Sequence, residues 1–222
     1  MPSTSPKHLH TRRLTLRRLS TPANPRDLHL FHENWSSRVA TMWSMRGPTA
    51  TLDESRAWMH ELLAGGLEFW AVFLRSESGS SSDDASSALA GTAAEDEGEE
   101  ERGVHVGSVS LRLPREGLMK LPPAAQSGLP IEGKSLGYAL FAGYWGRGIA
   151  TEAGRAVVEA FGARVRDEGR QGYIEACVDA GNPASGHVLG KIGFEQVGWQ
   201  THDPVWINGA WRKGCWVYGL YV

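Results

Sequence analysis

Hydrophobic residues alternate with polar ones in Thr11-Arg12-Arg13-Leu14-Thr15-Leu16-Arg17-Arg18, which predicts a half-buried strand ended by Pro22 and Pro25. The period then lengthens. Leu28, Phe31 and Trp35 share one helical face over residues 27–35, and Thr51 with Glu54 makes a capping box that opens a second helix through Trp58 and Leu62. Residues 67–75 are continuously apolar and rich in aromatics, the pattern of a strand covered on both faces. Residues 104–113 resume as strand and are expected to pair with 67–75 as a long antiparallel hairpin. Residues 135–141 predict another strand. Ala153, Ala156, Val157, Ala160, Phe161 and Val165 recur at helical spacing over 151–166. Residues 172–178 return to strand, and Asn182-Pro183 reads as an N-cap and first-turn pair of a short helix ending at Gly193, with Val188, Leu189 and Ile192 inward. Residues 197–202 and 211–222 close the chain as two strands around the turn dipeptide Asn208-Gly209. The order βααβββαβαββ predicts a mixed α/β fold.

Two stretches break this pattern. Residues 76–102 hold seven Ser, nine acids and one base, with Leu89 the one large apolar side chain. Such a segment cannot offset its ordering entropy by burial, which predicts a disordered acidic insertion; an acidic docking or phosphorylation segment is the functional alternative. Residues 114–134, rich in Pro and Gly, predict a second loop that borders the site and takes part in substrate choice. With residues 1–10 as a flexible tail, 11–222 is expected to form a single domain carrying both insertions.

Composition narrows the function classes. Hydrophobic residues make up 41% of the 222, with nine Trp, enough to bury a core. The formal net charge of −2 conceals an asymmetry, because the acidic insertion leaves the rest of the chain mildly basic. That suits an anionic ligand and lacks the strong basic footprint of a nucleic-acid binder. Cys177 and Cys215 have no metal-ligand spacing, so no metal is expected, and both read as buried thiols in a reducing compartment. No apolar run is long enough to span a membrane, and residues 1–11 lack the apolar core of a secretory signal. The chain is therefore expected to be cytoplasmic, without a membrane partner. Residues 1–26 contain no acid, which keeps a mitochondrial transit peptide as the alternative.

The densest chemical signal is Gly143-Tyr144-Trp145-Gly146-Arg147-Gly148-Ile149-Ala150-Thr151-Glu152-Ala153, between a strand and a helix. Small residues at 146, 148 and 150 let backbone approach a ligand, and the N–H groups at the helix start favour an anion such as phosphate. A tight strand-to-helix turn is the structural alternative. The P-loop pattern is absent, and the Rossmann fingerprint fails because Thr151 occupies its third glycine position.

These residues resemble motif A of the GNAT acetyltransferase superfamily, with Gly148 and Ala150 at its small positions. Trp145 replaces the usual first Gln or Arg, as in the branch similar to the ribosomal-protein N-terminal acetyltransferases (RimJ/RimL-like). Asn182-Pro183-Ala184-Ser185 followed by Leu189, Lys191, Gly193 and Phe194 resembles that branch's NxxSxxxLxKxGF, and Thr11, Arg13, Leu14, Leu16, Arg17 and Leu19 match its early TxRLxLRxL.

The resemblance implies a GNAT fold: a central, mixed, mostly antiparallel sheet flanked by helices, with a splayed parallel pair, 135–141 and 172–178. It implies acetyl-CoA as cofactor, paired along its pantetheine arm with Leu140, Phe141 and Ala142. The pyrophosphate is then expected on Trp145, Gly146, Arg147, Gly148, Ile149, Ala150 and Thr151, with Asn182 and Ser185 on the opposite side. The reaction implied is direct attack of an amine on the thioester in a ternary complex. Many GNAT enzymes place a Tyr acid where this chain has Leu189, so Ser185 is the candidate replacement, or else a cofactor contact only. For the base the candidates are Glu175, which shares a strand face with Tyr173 and Cys177, the neighbouring His202 and Asp203, or a water relay. The acceptor is an amine of a protein N-terminus or a small molecule, with Trp35, Trp43, Trp199 and Trp206 as pocket candidates, in a monomer or homodimer. An inert acyl-CoA-binding module on the same fold is the competing reading.

Overall fold

The structure, a computed structural model, describes residues 6–75, 103–114 and 128–222. Its strands form one eight-stranded sheet in the order β1-β2-β3-β4-β5-β6-β8-β7. These are β1 (His8–His10), β2 (Leu14–Arg18), β3 (Glu68–Arg75), β4 (Gly103–Arg112), β5 (Ile131–Leu140), β6 (Gln171–Val178), β7 (Glu195–Ile207) and β8 (Ala210–Tyr221). Every neighbouring pair is antiparallel except β5 and β6. Four α-helices are described: α1 (Pro25–Ser36), α2 (Leu52–Ala64), α3 (Ile149–Asp167) and α4 (Pro183–Ile192). The acidic insertion and residues 115–127 of the second loop lie outside the described residues.

Strand alternation sorts the core onto the two faces of the sheet. Phe69, Ala71 and Phe73 of β3 pack with Phe31 and Met59 of α1 and α2. Trp70 and Val72 point the other way, joining Leu14, Leu16 and Ile174 against Val157, Phe161 and Leu189 of α3 and α4. Each fully buried Leu or Phe contributes about 1.5–3 kcal/mol. These apolar stripes hold the helices more firmly than any cap does, although caps set their ends. The Asn24 side chain accepts from the Arg26 and Asp27 amides to start α1. Thr51 accepts from Glu54 N to start α2, while the Glu54 carboxylate reaches back to Ala50 N at 2.7 Å.

Several boundaries differ from the sequence reading because strand pairing extends the elements. His8–His10, expected in a flexible tail, ladder with Thr15–Arg17 of β2. Residues 131–134, expected in a loop, begin β5 because Ile131–Ser135 pair with Gln171–Glu175. There Lys134 is buried, and Glu132 accepts from Arg164 at 2.6 Å and meets Arg170 at 2.5 Å. β7 extends to Ile207 across a register break between Thr201 and Val205. In α4 only Leu189 is fully enclosed, while Val188 and Ile192 are half-buried. Cys177 is exposed and Cys215 half-buried, not the buried thiols expected. Cys177 pairs with Val217, which puts Cys215 diagonally beside it on the same sheet face. Contact with Cys177, then burial and nearby negative charge, pushes the Cys215 thiol pKa up.

Candidate active site

The parallel ladder between β5 and β6 ends at Ser135 and Glu175, yet β5 runs on to Leu140 and β6 to Val178. A V-shaped opening therefore lies between two central strands. Each arm is held by its outer neighbour: β6 stays laddered to β8 through Val178, and β5 to β4 through Leu140. β4 carries a bulge where Val72 and Phe73 face Gly107 and His105, leaving Val106 extra. Gly107 sits at φ +139, and a Cβ there would lie 2.3 Å from the Ala139 carbonyl oxygen, so only glycine lets the strands close at this point.

Phe141 N donates to Val106 O at 3.0 Å, which aims that amide at β4 and away from the opening. By alternation the N–H groups of Tyr138 and Leu140 face the opening. Of Leu140 and Phe141, Leu140 is thus the one whose N–H points into the V. Its carbonyl also accepts from Trp145 Nε1 at 2.8 Å, which folds the half-exposed indole back over the strand end.

Beyond a short 3-10 turn, Ala142–Tyr144, the chain passes through Gly146 at φ +71 and Gly148 at φ +74 into α3. Gly148 is the N-cap and offers no side-chain acceptor, so the first-turn amides of α3 keep their capacity to bind an anion. The loop is braced from the far edge of the sheet. Glu152 accepts from Thr11 Oγ1 at 2.5 Å, Arg13 N at 3.0 Å and Arg13 Nε at 2.7 Å, and Arg13 Nη1 donates to Arg147 O at 3.1 Å. Burial alone would raise the Glu152 pKa, but these bonds and the Arg13 charge outweigh it and hold the carboxyl below its ordinary value. A cleft of about 450 Å³ adjoins Gly148 and Thr151 and is lined in part by His10, Arg155 and Lys191.

Across the opening, Asn182 Oδ1 accepts from Ser185 N at 3.3 Å as the cap of α4. Ser185 is half-buried, and its Oγ lies 2.6 Å from the hydroxyl of Tyr138. Burial, opposed by the Ser185 bond and assisted by Tyr218, pushes the Tyr138 phenol up to about 12.

The base candidates separate. Glu175 is buried at the apex of the V, on the face that Cys177 and Cys215 share, and its charge helps raise the neighbouring Tyr173 phenol, which burial chiefly drives to about 12. Asp203 is exposed on the irregular stretch of β7, two strands from β6, with His202 Nδ1 at 2.7 Å from its carbonyl oxygen. The structure does not bring Asp203 together with Glu175. Among the candidate Trp residues, Trp43 lies 5.8 Å from the Arg212 guanidinium, Trp199 stacks edgewise on Trp216, and exposed Trp206 on Trp211. Trp35 instead packs against Trp58 in the α1–α2 core.

Three features escaped the sequence reading. Tyr138 was one position in an ordinary strand pattern, and Arg13 was a motif match whose partner lay 139 residues away. His105 flanks the bulge with Nδ1 at 2.7 Å from Glu33 Oε2 and its ring 5.3 Å from that of Phe141, a grouping no local spacing announces. Among the described residues no cluster of His, Cys, Asp and Glu could hold a metal, and no helix is long and apolar enough to cross a membrane.

Similar folds occur among solved structures. A GNAT-family acetyltransferase from Bacillus anthracis matches with TM-score 0.60 at 16% identity, covering 96% of this chain and 97% of its own. RimL, a ribosomal L7/L12 alpha-N-protein acetyltransferase in complex with coenzyme A, matches with TM-score 0.58 at 15% identity over 97% and 98%. The aminoglycoside acetyltransferase AAC(6')-Ib, also with coenzyme A, gives 0.60 at 17% identity over 93% and 94%. No curated protein matches in sequence. The family model of the acetyltransferase (GNAT) domain matches residues 13–195, most of the chain and every element from β2 to α4. The chain belongs to the GNAT acetyltransferase family.

Proposed function

We propose that this protein transfers acetyl from acetyl-CoA to a primary amine, of a protein N-terminus or a small molecule, by direct attack in a ternary complex. The observation that carries this reading is the V between β5 and β6 leading onto the uncapped start of α3. RimL and AAC(6')-Ib, the one acting on a ribosomal protein and the other on aminoglycosides, share the fold, which supports an amine acceptor.

Acetyl-CoA supplies an acyl carbon activated as a thioester, with a thiolate as leaving group. The protein's own groups supply the rest. Amides from Gly146 to Thr151 hold the pyrophosphate, and Arg155 and Lys191 beside the adjoining cleft suit the phosphorylated nucleotide end. Asn182 holds the pantetheine arm from the α4 side, opposite Leu140. The Leu140 N–H is the donor aimed where negative charge develops on the acyl oxygen. Ser185 Oγ–H steadies the departing sulfur. Glu175, at the apex on the other face, accepts the amine proton directly or through one water.

A mass-shift screen of N-terminal peptides and small amines, incubated with enzyme and acetyl-CoA, tests the proposal and names the acceptor. An acetylated product formed only with enzyme supports it. Tight CoA binding with no acetylated product across the panel would reassign the protein as an inert acyl-CoA-binding module.

A further inference from the structure

Asn34 of α1 is fully buried, although a carboxamide needs hydrogen-bond partners once it leaves water. It finds them on the two strands that lead to the V. Its Nδ2 donates to Ala139 O of β5 at 3.1 Å, and its Oδ1 accepts from the hydroxyl of buried Ser108 on β4 at 2.5 Å. Because a backbone carbonyl can only accept, the nitrogen has to face Ala139, and the serine hydroxyl then holds the oxygen at the other end. The carboxamide has one orientation.

Ala139 O belongs to the peptide whose N–H is that of Leu140. This peptide is trans, so its two polar groups point in opposite directions, the carbonyl toward β4 and α1 and the N–H into the V. A Cβ at Gly107 would lie 2.3 Å from the same carbonyl oxygen, so glycine at the bulge keeps that oxygen clear for Asn34. The following peptide is held too, by Trp145 Nε1 on Leu140 O and by Phe141 N on Val106 O.

A hydrogen bond received at a peptide oxygen draws electron density from the peptide nitrogen and makes its N–H a better donor, strengthening the next bond in such a chain by about 10–30%. It also keeps the peptide plane fixed when negative charge develops in front of the N–H. We propose that Asn34 is a positioning residue for the reaction, holding and polarising the Ala139–Leu140 peptide so that the Leu140 N–H meets the acyl oxygen of the bound thioester. This rests on the reading that the Leu140 N–H is the donor to that oxygen. No proton changes hands at Asn34, which acts through the peptide and not on cofactor or amine.

The test reads the thioester carbonyl itself. Acetyl-CoA labelled with carbon-13 at the acyl carbon is bound, without amine, to wild type, Asn34→Leu and Ser108→Ala, and its carbonyl stretch is recorded by difference infrared spectroscopy, alongside kcat and KM with an acceptor from the mass-shift screen. In wild type the stretch should fall below that of the thioester in an aprotic solvent. Asn34→Leu, similar in size and unable to donate, should reverse part of that fall and lower kcat about 3- to 10-fold, the worth of one neutral hydrogen bond, with KM for acetyl-CoA nearly unchanged. Ser108→Ala, which lets the carboxamide turn, should move both readouts the same way by less.

A lowered stretch that is the same in wild type and Asn34→Leu would overturn the role of Asn34 and leave that of Leu140 intact. A change confined to KM, or a fall in kcat with the stretch unmoved, would reduce Asn34 to packing between α1 and the sheet and also overturn the inference. If the stretch in wild type matches that of a thioester without hydrogen bonds, the reading of Leu140 falls and this inference with it. Should Asn34→Leu fail to fold, Ser108→Ala decides alone, and no movement of stretch or kcat in that variant would overturn the proposal.

Discussion

The two sides of the V are built differently. On the α3 side, a run of eleven residues from Gly143 to Ala153 makes the proposed anion site, and one carboxylate, Glu152, ties it to the segment between β1 and β2 with three hydrogen bonds. The other side draws Glu175 from β6, His105 from β4 and Glu33 from α1. The first side is local and braced; the second is assembled from distant segments. A site for a cofactor common to a family can be written in one motif, whereas an acceptor site is free to vary wherever its segments vary.

The largest effect should come from the braced side. Gly148→Glu puts a carboxylate among the first-turn amides of α3 and strains a residue at φ +74, so CoA affinity by calorimetry should fall about 100-fold or more. Unchanged affinity in a folded variant would break the assignment of this loop.

Next come the groups that act in the reaction. Glu175→Gln should lower kcat about 100-fold, and Ser185→Ala about 10- to 1000-fold with a smaller change in KM, both by steady-state kinetics. Asp203→Asn should leave kcat within about 2-fold, since an exposed side chain two strands from β6 has no proton to take. A large loss there would move the base to the hairpin and reverse this part of the comparison.

Arg13→Ala loosens the brace without touching the loop's own amides. CoA affinity should fall about 3- to 10-fold, with a melting-temperature loss of a few degrees. A smaller effect concerns acid stability. Glu132 and Glu152 have pKa values held below the ordinary 4.5, in each case because Arg pairing and hydrogen bonds outweigh burial. Both bind protons more readily when unfolded. Their contribution is complete above about pH 4.5 and is lost as pH falls through the lower folded values. Melting temperature against pH should show an acid limb there, shallower in Glu132→Gln and Glu152→Gln.

The same contrast governs what could be read in advance. α3 was legible because its apolar positions recur at one spacing, and α4 because Asn182, Pro183 and Gly193 mark both its ends. The opening between β5 and β6 followed from the family resemblance alone, since a ladder that stops at Ser135 leaves no trace in hydropathy. The lower part of β5 was hidden because Ile131–Lys134 become strand only by pairing with β6. Cys177 and Cys215 looked like buried thiols from their apolar neighbours, but their strands meet on a face where Cys177 remains exposed. Glu175 and Ser185 were candidates by position, whereas Tyr138 drew attention only once its hydroxyl was placed 2.6 Å from Ser185 Oγ.

The most direct measurement is thiol release from acetyl-CoA by wild type and Gly148→Glu, with and without an amine panel, beside calorimetric binding of CoA. The account predicts amine-dependent thiol release by wild type, matched by acetylated product, and loss of both binding and release in the variant. Strong CoA binding by wild type with no amine-dependent release, or undiminished release by a folded Gly148→Glu protein, would contradict it.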